Sequence, residues 1–158
     1  MRHNKKGFTL IELLVVVAII GLLAAMAVIA LSNARAKARD ARRVSDVRQV
    51  QTALEMYFLD NNAYPNITGG TNTGTIEGKC LSSISGWSAA PCTGTTYMAV
   101  APSNPTPVND GSCPSTGVGA VYTYSYDNSG ASYTIKYCLG SATGGLTAGT
   151  RTASPAGL

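Results

Sequence analysis

The sequence predicts an α+β chain in which one long N-terminal α-helix, apolar in its first half and amphipathic in its second, packs on a small antiparallel β-sheet. Three observations carry that expectation. The run FTLIELLVVVAIIGLLAAMAVIAL fills Phe8 to Leu31 with 24 residues interrupted by one charge, Glu12. Apolar residues then recur at spacings of three and four as far as Tyr57. Beyond Pro65 the composition changes to Gly, Thr, Ser and Asn, with short β-branched and aromatic runs. The implied divisions are a basic leader over 1-7, a transmembrane or assembly helix over 8-31, an amphipathic helix over 32-62 and a loop-rich β domain with disulfides over 63-158.

The apolar run extends about 36 Å as a helix, against a hydrocarbon core of about 30 Å, which is enough to span a bilayer. Gly21 is its one weak helix former; close packing by neighbouring helices would offset a cost of up to about 1 kcal/mol. After it, Ala34, Ala36, Ala38 and Ala41 favour helix, and Ala41, Val44, Val47, Val50, Leu54 and Tyr57 form an apolar stripe. Asp40 with Arg43, and Arg42 with Asp46, have the spacing for modest ion pairs on the opposite, solvated face. The segment Asp60-Asn61-Asn62-Ala63-Tyr64-Pro65 is a stop: an Asn takes the left-handed cap and Pro65 cannot continue the helix.

In the C-terminal half the strand signals are Tyr97 to Ala101, Val121 to Tyr126 and Tyr133 to Cys138. The last two read as a hairpin around Asp127-Asn128-Ser129-Gly130, and one face of its sheet would cover the helix stripe. Residues 66 to 96 and the tail from Gly140 read as loops. Cys80, Cys92, Cys113 and Cys138 lie in this turn-rich half, without CxxC spacing or a nearby histidine, so an oxidised compartment fits them best. Four cysteines allow three pairings. Cys80 with Cys92 and Cys113 with Cys138 close the loops at least entropic cost, and four buried reduced thiols are the alternative.

Charged residues make up 13% of the chain, about half the usual share, and the net charge is +4. Nine of the twelve basic residues flank the apolar run: Arg2, Lys5 and Lys6 before it, and Arg35, Lys37, Arg39, Arg42, Arg43 and Arg48 after it. This charge collects where lipid head groups lie, so the second cluster reads as a solvated helix face at the bilayer surface, and direct nucleic-acid binding is disfavoured. The single histidine, His3, lies in the leader. No Ser-His-Asp set, metal-ligand cluster or phosphate loop remains, so no catalytic residue, metal or cofactor is expected. Calcium would have only Asp110 and Asp127 to draw on, far apart in sequence.

The segment KKGFTLIELLVVVAIIGLLAA, Lys5 to Ala25, resembles the processing and assembly segment of type IV prepilins and of the pseudopilins of type II secretion. Weaker similarity runs through Ala34 to Pro65. The resemblance implies recognition of Lys5 and Lys6, cleavage between Gly7 and Phe8 by a membrane prepilin peptidase, and methylation of the new Phe8 amine. It implies that Glu12 pairs with the Phe8 amine of a neighbouring subunit, and a carboxylate in lipid needs such a partner on physical grounds alone. Two features depart from the pattern. Ala27-Val28-Ile29-Ala30 has no proline where many pilins carry one, and the six basic residues after the span against three before it oppose an outward C-terminal domain under the positive-inside rule.

The expected function is therefore a structural subunit of a type IV pilus-like surface filament. It is held in the inner membrane with its C-terminal domain outside, then assembled through its N-terminal helix with identical or related subunits and the inner-membrane machinery. Nucleic acid would be met only through the filament. A minor or tip pilin acting in adhesion or DNA uptake, and a type II secretion pseudopilin, are the alternatives. An ordinary signal sequence cut at Ala34-Arg35-Ala36 is a poorer fit because of Arg35. Asn66-Ile67-Thr68 matches a glycosylation acceptor but reads better as chance in an Asn- and Thr-rich stretch.

Overall fold

The computed structural model describes residues 7–67, 73–127 and 129–158. Lys5 and Lys6, most of the leader, Thr68 of the acceptor pattern and Asn128 of the expected turn lie outside the described residues. One helix, α1 (Leu10–Asn61), is followed by seven strands: β1 (Thr73–Thr75), β2 (Lys79–Ser82), β3 (Gly86–Ala89), β4 (Thr96–Met98), β5 (Thr123–Tyr126), β6 (Tyr133–Leu139) and β7 (Gly149–Ala153). The fold is α+β. The chain divides into two compact units, residues 1–35 and Ala36–Leu158, and α1 contributes to both.

In the first unit every described side chain is exposed, including Phe8 at 89% and Leu10 at 81%. The helix is long and apolar enough here to cross a membrane. A helix that is hydrophobic on nearly every side is of the kind that lipid or other helices cover.

In the second unit α1 buries Asp40, Arg43, Asp46, Val47, Val50, Ala53 and Leu54, a stripe of helical spacing. Its later part is the one the periodicity predicts. Its beginning differs: Ala41 is exposed and Val44 half-buried, and the buried seats belong to Asp40 and Arg43. The helix ends where Asn62 takes a positive φ of 54° and its N–H donates to the Phe58 carbonyl at 2.7 Å, the left-handed cap.

Two antiparallel sheets complete this unit, in the orders β1-β5-β6-β7 and β3-β2-β4. The expected hairpin is β5–β6, with Thr123 opposite Lys136 and Tyr126 opposite Tyr133. Strand β6 alternates cleanly at first: Tyr133, Ile135 and Tyr137 point inward while Lys136 is exposed. Those residues, with Leu81, Trp87, Tyr122 and Tyr124, share one core with Val47, Val50, Ala53 and Leu54. The expectation of a single sheet and of loops over 66 to 96 and from Gly140 is corrected by β1, β2 and β3 and by β7. Their sequences, TGT, KCLS, GWSA and GTRTA, carry few β-branched apolar residues. What holds them is pairing with β5 and β6, burial of Cys80, Leu81 and Trp87, and a covalent staple. β4 is also shorter than the expected Tyr97 to Ala101.

Disulfides join Cys80 to Cys92 and Cys113 to Cys138, with Cα separations of 5.9 and 5.6 Å that a disulfide spans without backbone movement. The first fastens the β2–β3 sheet. The second ties the segment before Ala120 to β6.

Candidate functional site

The chemistry of the first unit is concentrated in its first turn. Thr9 stands just before α1 and Glu12 three residues on, the spacing of a capping box. The Glu12 carboxylate accepts from the Thr9 backbone N–H at 2.9 Å and from its hydroxyl at 2.8 Å, both on Oε2, and the Glu12 N–H donates back to Thr9 Oγ1 at 3.3 Å. Two orphan donors of the helix start are thereby satisfied, and the negative charge lies at the positive end of the helix dipole. The Gly7-Phe8 peptide bond immediately precedes this box. Among the described residues nothing lies within 4 Å of where a Gly7 side chain would begin. Behind it, Leu10, Leu13, Leu14, Val17 and Ala18 form one shallow apolar groove and Phe8, Ile11, Val15 and Val16 border another beside Glu12. Ridges and grooves of this kind are what helices use to pack on one another. Gly21 is equally unobstructed, so another backbone can come close there.

Thr9 is the residue that sequence reasoning missed. The T-x-x-E spacing was available as its signal and was masked by the apolar residues around it.

The second unit holds a polar cluster that the sequence did not foretell. Arg43 is wholly buried, and the reading of Arg35 to Arg48 as one solvated face is corrected for it. Its guanidinium donates to Asp40 Oδ1 at 2.7 Å and to Asn104 Oδ1 at 2.8 Å, and reaches the carbonyls of Pro105 and Pro107 at 3.4 and 3.3 Å. Asp40, equally buried, accepts from the Gly140 N–H at 2.8 Å and from the Ser141 N–H and hydroxyl at 2.9 Å. Asp110 receives a forked pair of bonds from Arg39, one of them 2.6 Å long, and a longer contact from Arg43. The Arg39 bond foremost, and then the charges of Arg39 and Arg43, hold the Asp110 carboxyl below its ordinary value despite partial burial. Charges taken out of water this way need such complete pairing. The spacing of Asp40 and Arg43 had marked them as an ion pair. Only the fold reveals that the pair faces inward. Arg42, in contrast, stays exposed, 3.8 Å from Asp46.

Of the two carboxylates weighed for calcium, Asp110 accepts from Arg39, and Asp127 accepts from Ser129 and Ala131 in its own turn. Among the described residues no group of three His, Cys, Asp or Glu is placed to hold a metal.

A profile described as the prokaryotic N-terminal methylation motif matches residues 2–28. Over 68 residues the chain is 43% identical to the type II secretion system core protein G of Pectobacterium carotovorum subsp. carotovorum, covering 43% of this chain and 44% of that protein. It is 42% identical over 69 residues to the protein of that name from Aeromonas hydrophila, covering 44% and 48%, and 44% identical over 67 residues to that of Escherichia coli strain K12, covering 42% and 46%. The chain thus spans about half the length of the curated relatives it matches. No solved structure matches significantly. The chain carries the N-terminal methylation motif and is homologous, over that stretch, to core protein G.

Proposed function

We propose that the chain is a prepilin-type filament subunit of the secretion-system kind, a pseudopilin, whose work is structural. The likeness to core protein G favours this branch over the surface pilus that was the first expectation. The observation that carries the reading is the Thr9–Glu12 capping box, set directly behind the Gly7-Phe8 junction on a helix whose apolar sides are all uncovered.

In this reading, a peptidase removes the leader after Gly7 and the Phe8 amine becomes a cation one residue from the N–H that Glu12 already holds. Both Thr9 bonds fall on Oε2. Oε1 is then the oxygen that the Phe8 amine of a neighbouring subunit meets, and the pair of opposite charges sets the register of helices whose apolar packing is itself non-directional. Before assembly the helix holds the subunit in the inner membrane, with the disulfide-bearing unit on the oxidising side. The partners are related subunits, the peptidase and the membrane machinery that extracts them.

Sequencing and mass measurement of the mature protein test the first step: a start at methylated Phe8 is expected, and a start near Lys37 would overturn the reading. The second step is tested with Glu12→Ala, which should insert normally and lose nearly all assembly; filaments in ordinary yield would refute the register role. A surface filament is the second reading, favoured by the two disulfides that fasten the Ala36–Leu158 unit. Cells lacking the protein separate the two, since the first reading costs them secretion and the second costs them visible fibres.

A further inference from the structure

The polar cluster around Asp40 and Arg43 has two arms, and both are roots of one disulfide. The first arm runs from Asn104 to Cys113 and takes the cationic side: Asn104, Pro105, Pro107 and Asp110 all accept from Arg39 or Arg43. The second follows Cys138 and takes the anionic side: Gly140 and Ser141 donate to Asp40. The arms touch each other between these grips. The Ser112 N–H donates to the Gly140 carbonyl at 3.2 Å, while the Cys113 N–H turns back within the first arm to the Asp110 carbonyl at 2.9 Å. They lie so close that a side chain begun at Gly111 would stand 2.3 Å from the Gly140 carbonyl oxygen, and one at Gly140 would stand 2.7 Å from that of Asp110. The other disulfide, Cys80–Cys92, belongs to β2 and the residues after β3; its sulfurs neighbour Ser88 and Ala89 and have no bond to this cluster.

We propose that Cys113–Cys138 is a redox latch: its closure, and not the folding of the strands, sets the two arms on the helix and allows Asp40 and Arg43 to be buried. The reasoning is energetic. Neither charge can enter the interior unless both arms are in place, because each arm satisfies only one sign. In the reduced chain Asn104 keeps its bonds to Glu77 and the Ala120 carbonyl and Gly140 still follows the paired Leu139, but the stretch from Pro105 to Cys113 loses its covalent tether, so an open arrangement that returns Asp40, Arg43 and Asp110 to water competes with the closed one. Closure needs a disulfide-bearing oxidant. A Cys113 or Cys138 thiolate attacks it and expels one thiolate, the remaining cysteine thiolate attacks the mixed disulfide and expels the second, and two electrons and two protons leave the chain. The unit would thus stay open until the chain reaches a compartment supplying such an oxidant. This goes beyond the assembly reading and stands whichever filament the chain enters.

Because the latch and the clasp are linked, each must strengthen the other by the same factor. The full chain in detergent micelles would be equilibrated in dithiothreitol buffers of graded oxidation, with each cysteine quantified by alkylation and mass spectrometry. In Asp110→Asn the Cys113–Cys138 bond is expected to open at a reductant ratio at least about tenfold lower than in the parent, about 30 mV for a two-electron couple, while Cys80–Cys92 holds its midpoint. An unmoved Cys113–Cys138 midpoint, or an equal shift of both bonds, would overturn the latch. Hydrogen exchange on the Cys113→Ser/Cys138→Ser double variant gives an independent reading. Faster exchange confined to Ser112, Gly140 and Ser141 supports it, and retained protection there, or loss throughout the unit including β2–β3, refutes it.

Discussion

Arg43 is the residue at which sequence and structure part most instructively. Its identity and spacing proclaim a surface arginine, and its position three residues after Asp40 fits an exposed helix pair. Burial depends instead on Asn104, Asp110, Gly140 and Ser141, which come from remote parts of the chain. No local pattern encodes them. Removing one partner leaves a charge buried alone, so Arg43→Ala should cost about 3–5 kcal/mol in denaturant unfolding; a cost under about 1 kcal/mol would mean that the site relaxes to admit water. Asp110 gives the matching pH dependence. Its folded carboxyl is held below its ordinary value of 3.8, chiefly by the Arg39 bond. The stability it contributes is therefore complete above the unfolded value and is lost as the pH falls through the lower folded one. Unfolding curves between neutral pH and strong acid should show this acid loss in the parent and a shallower one in Asp110→Asn. Thr9, at the other end of the chain, was legible in principle: its spacing to Glu12 is local, and locality is what makes a motif readable.

Among the elements, legibility followed length and side-chain character. The helix was readable because its pattern repeats over many turns and its stop is chemical: Asn62 in the left-handed conformation, with Pro65 beyond. Asn62→Gly should leave stability unchanged or slightly higher, whereas Asn62→Val forces a branched side chain into that conformation and should lose about 1–2 kcal/mol, read from thermal unfolding. β5 and β6 were readable through their tyrosines and alternation. β1, β3 and β7 were not, since threonine, glycine and serine serve loops as readily as strands, and their strand character comes from the neighbours they pair with. β2 is the case between. Cys80 and Leu81 are wholly buried, yet a four-residue strand offers too few positions for periodicity to speak.

At the scale of the molecule, the Ala36–Leu158 unit is organised around tyrosine. Phe58, Tyr64, Tyr133, Tyr124 and Trp87 form a chain of ring contacts with centroids 4.6–6.0 Å apart. Burial, aided by the Glu55 bond, raises the Tyr64 phenol to about 12, and burial lifts Tyr122, Tyr124 and Tyr133 further above their ordinary 10.0. The folded state keeps these groups neutral. Their contribution is therefore present below the unfolded value near 10 and drains away as the pH climbs past it toward the folded values. In an alkaline titration, tyrosinate absorbance from these residues should appear together with loss of the fold; ionisation at the ordinary value with the circular dichroism intact would contradict the burial. The α+β architecture was foreseen because a long helix and a tyrosine-rich hairpin declare themselves. The second sheet was hidden because it is fastened by a covalent bond between residues of no distinctive pattern.

The clasp on Asp40 and Arg43 has a mechanical consequence as well. Under the function proposed above, a subunit drawn out of a bilayer would transmit tension along its helix, and the first buried residues of the Ala36–Leu158 unit along α1 are these two. Both arms grip the same turn of helix, and their ends are joined by a covalent bond, so the strain is shared among several short polar contacts rather than passed to the sheets one strand at a time. The tyrosine core is shielded from a tug that begins at the other end of the chain.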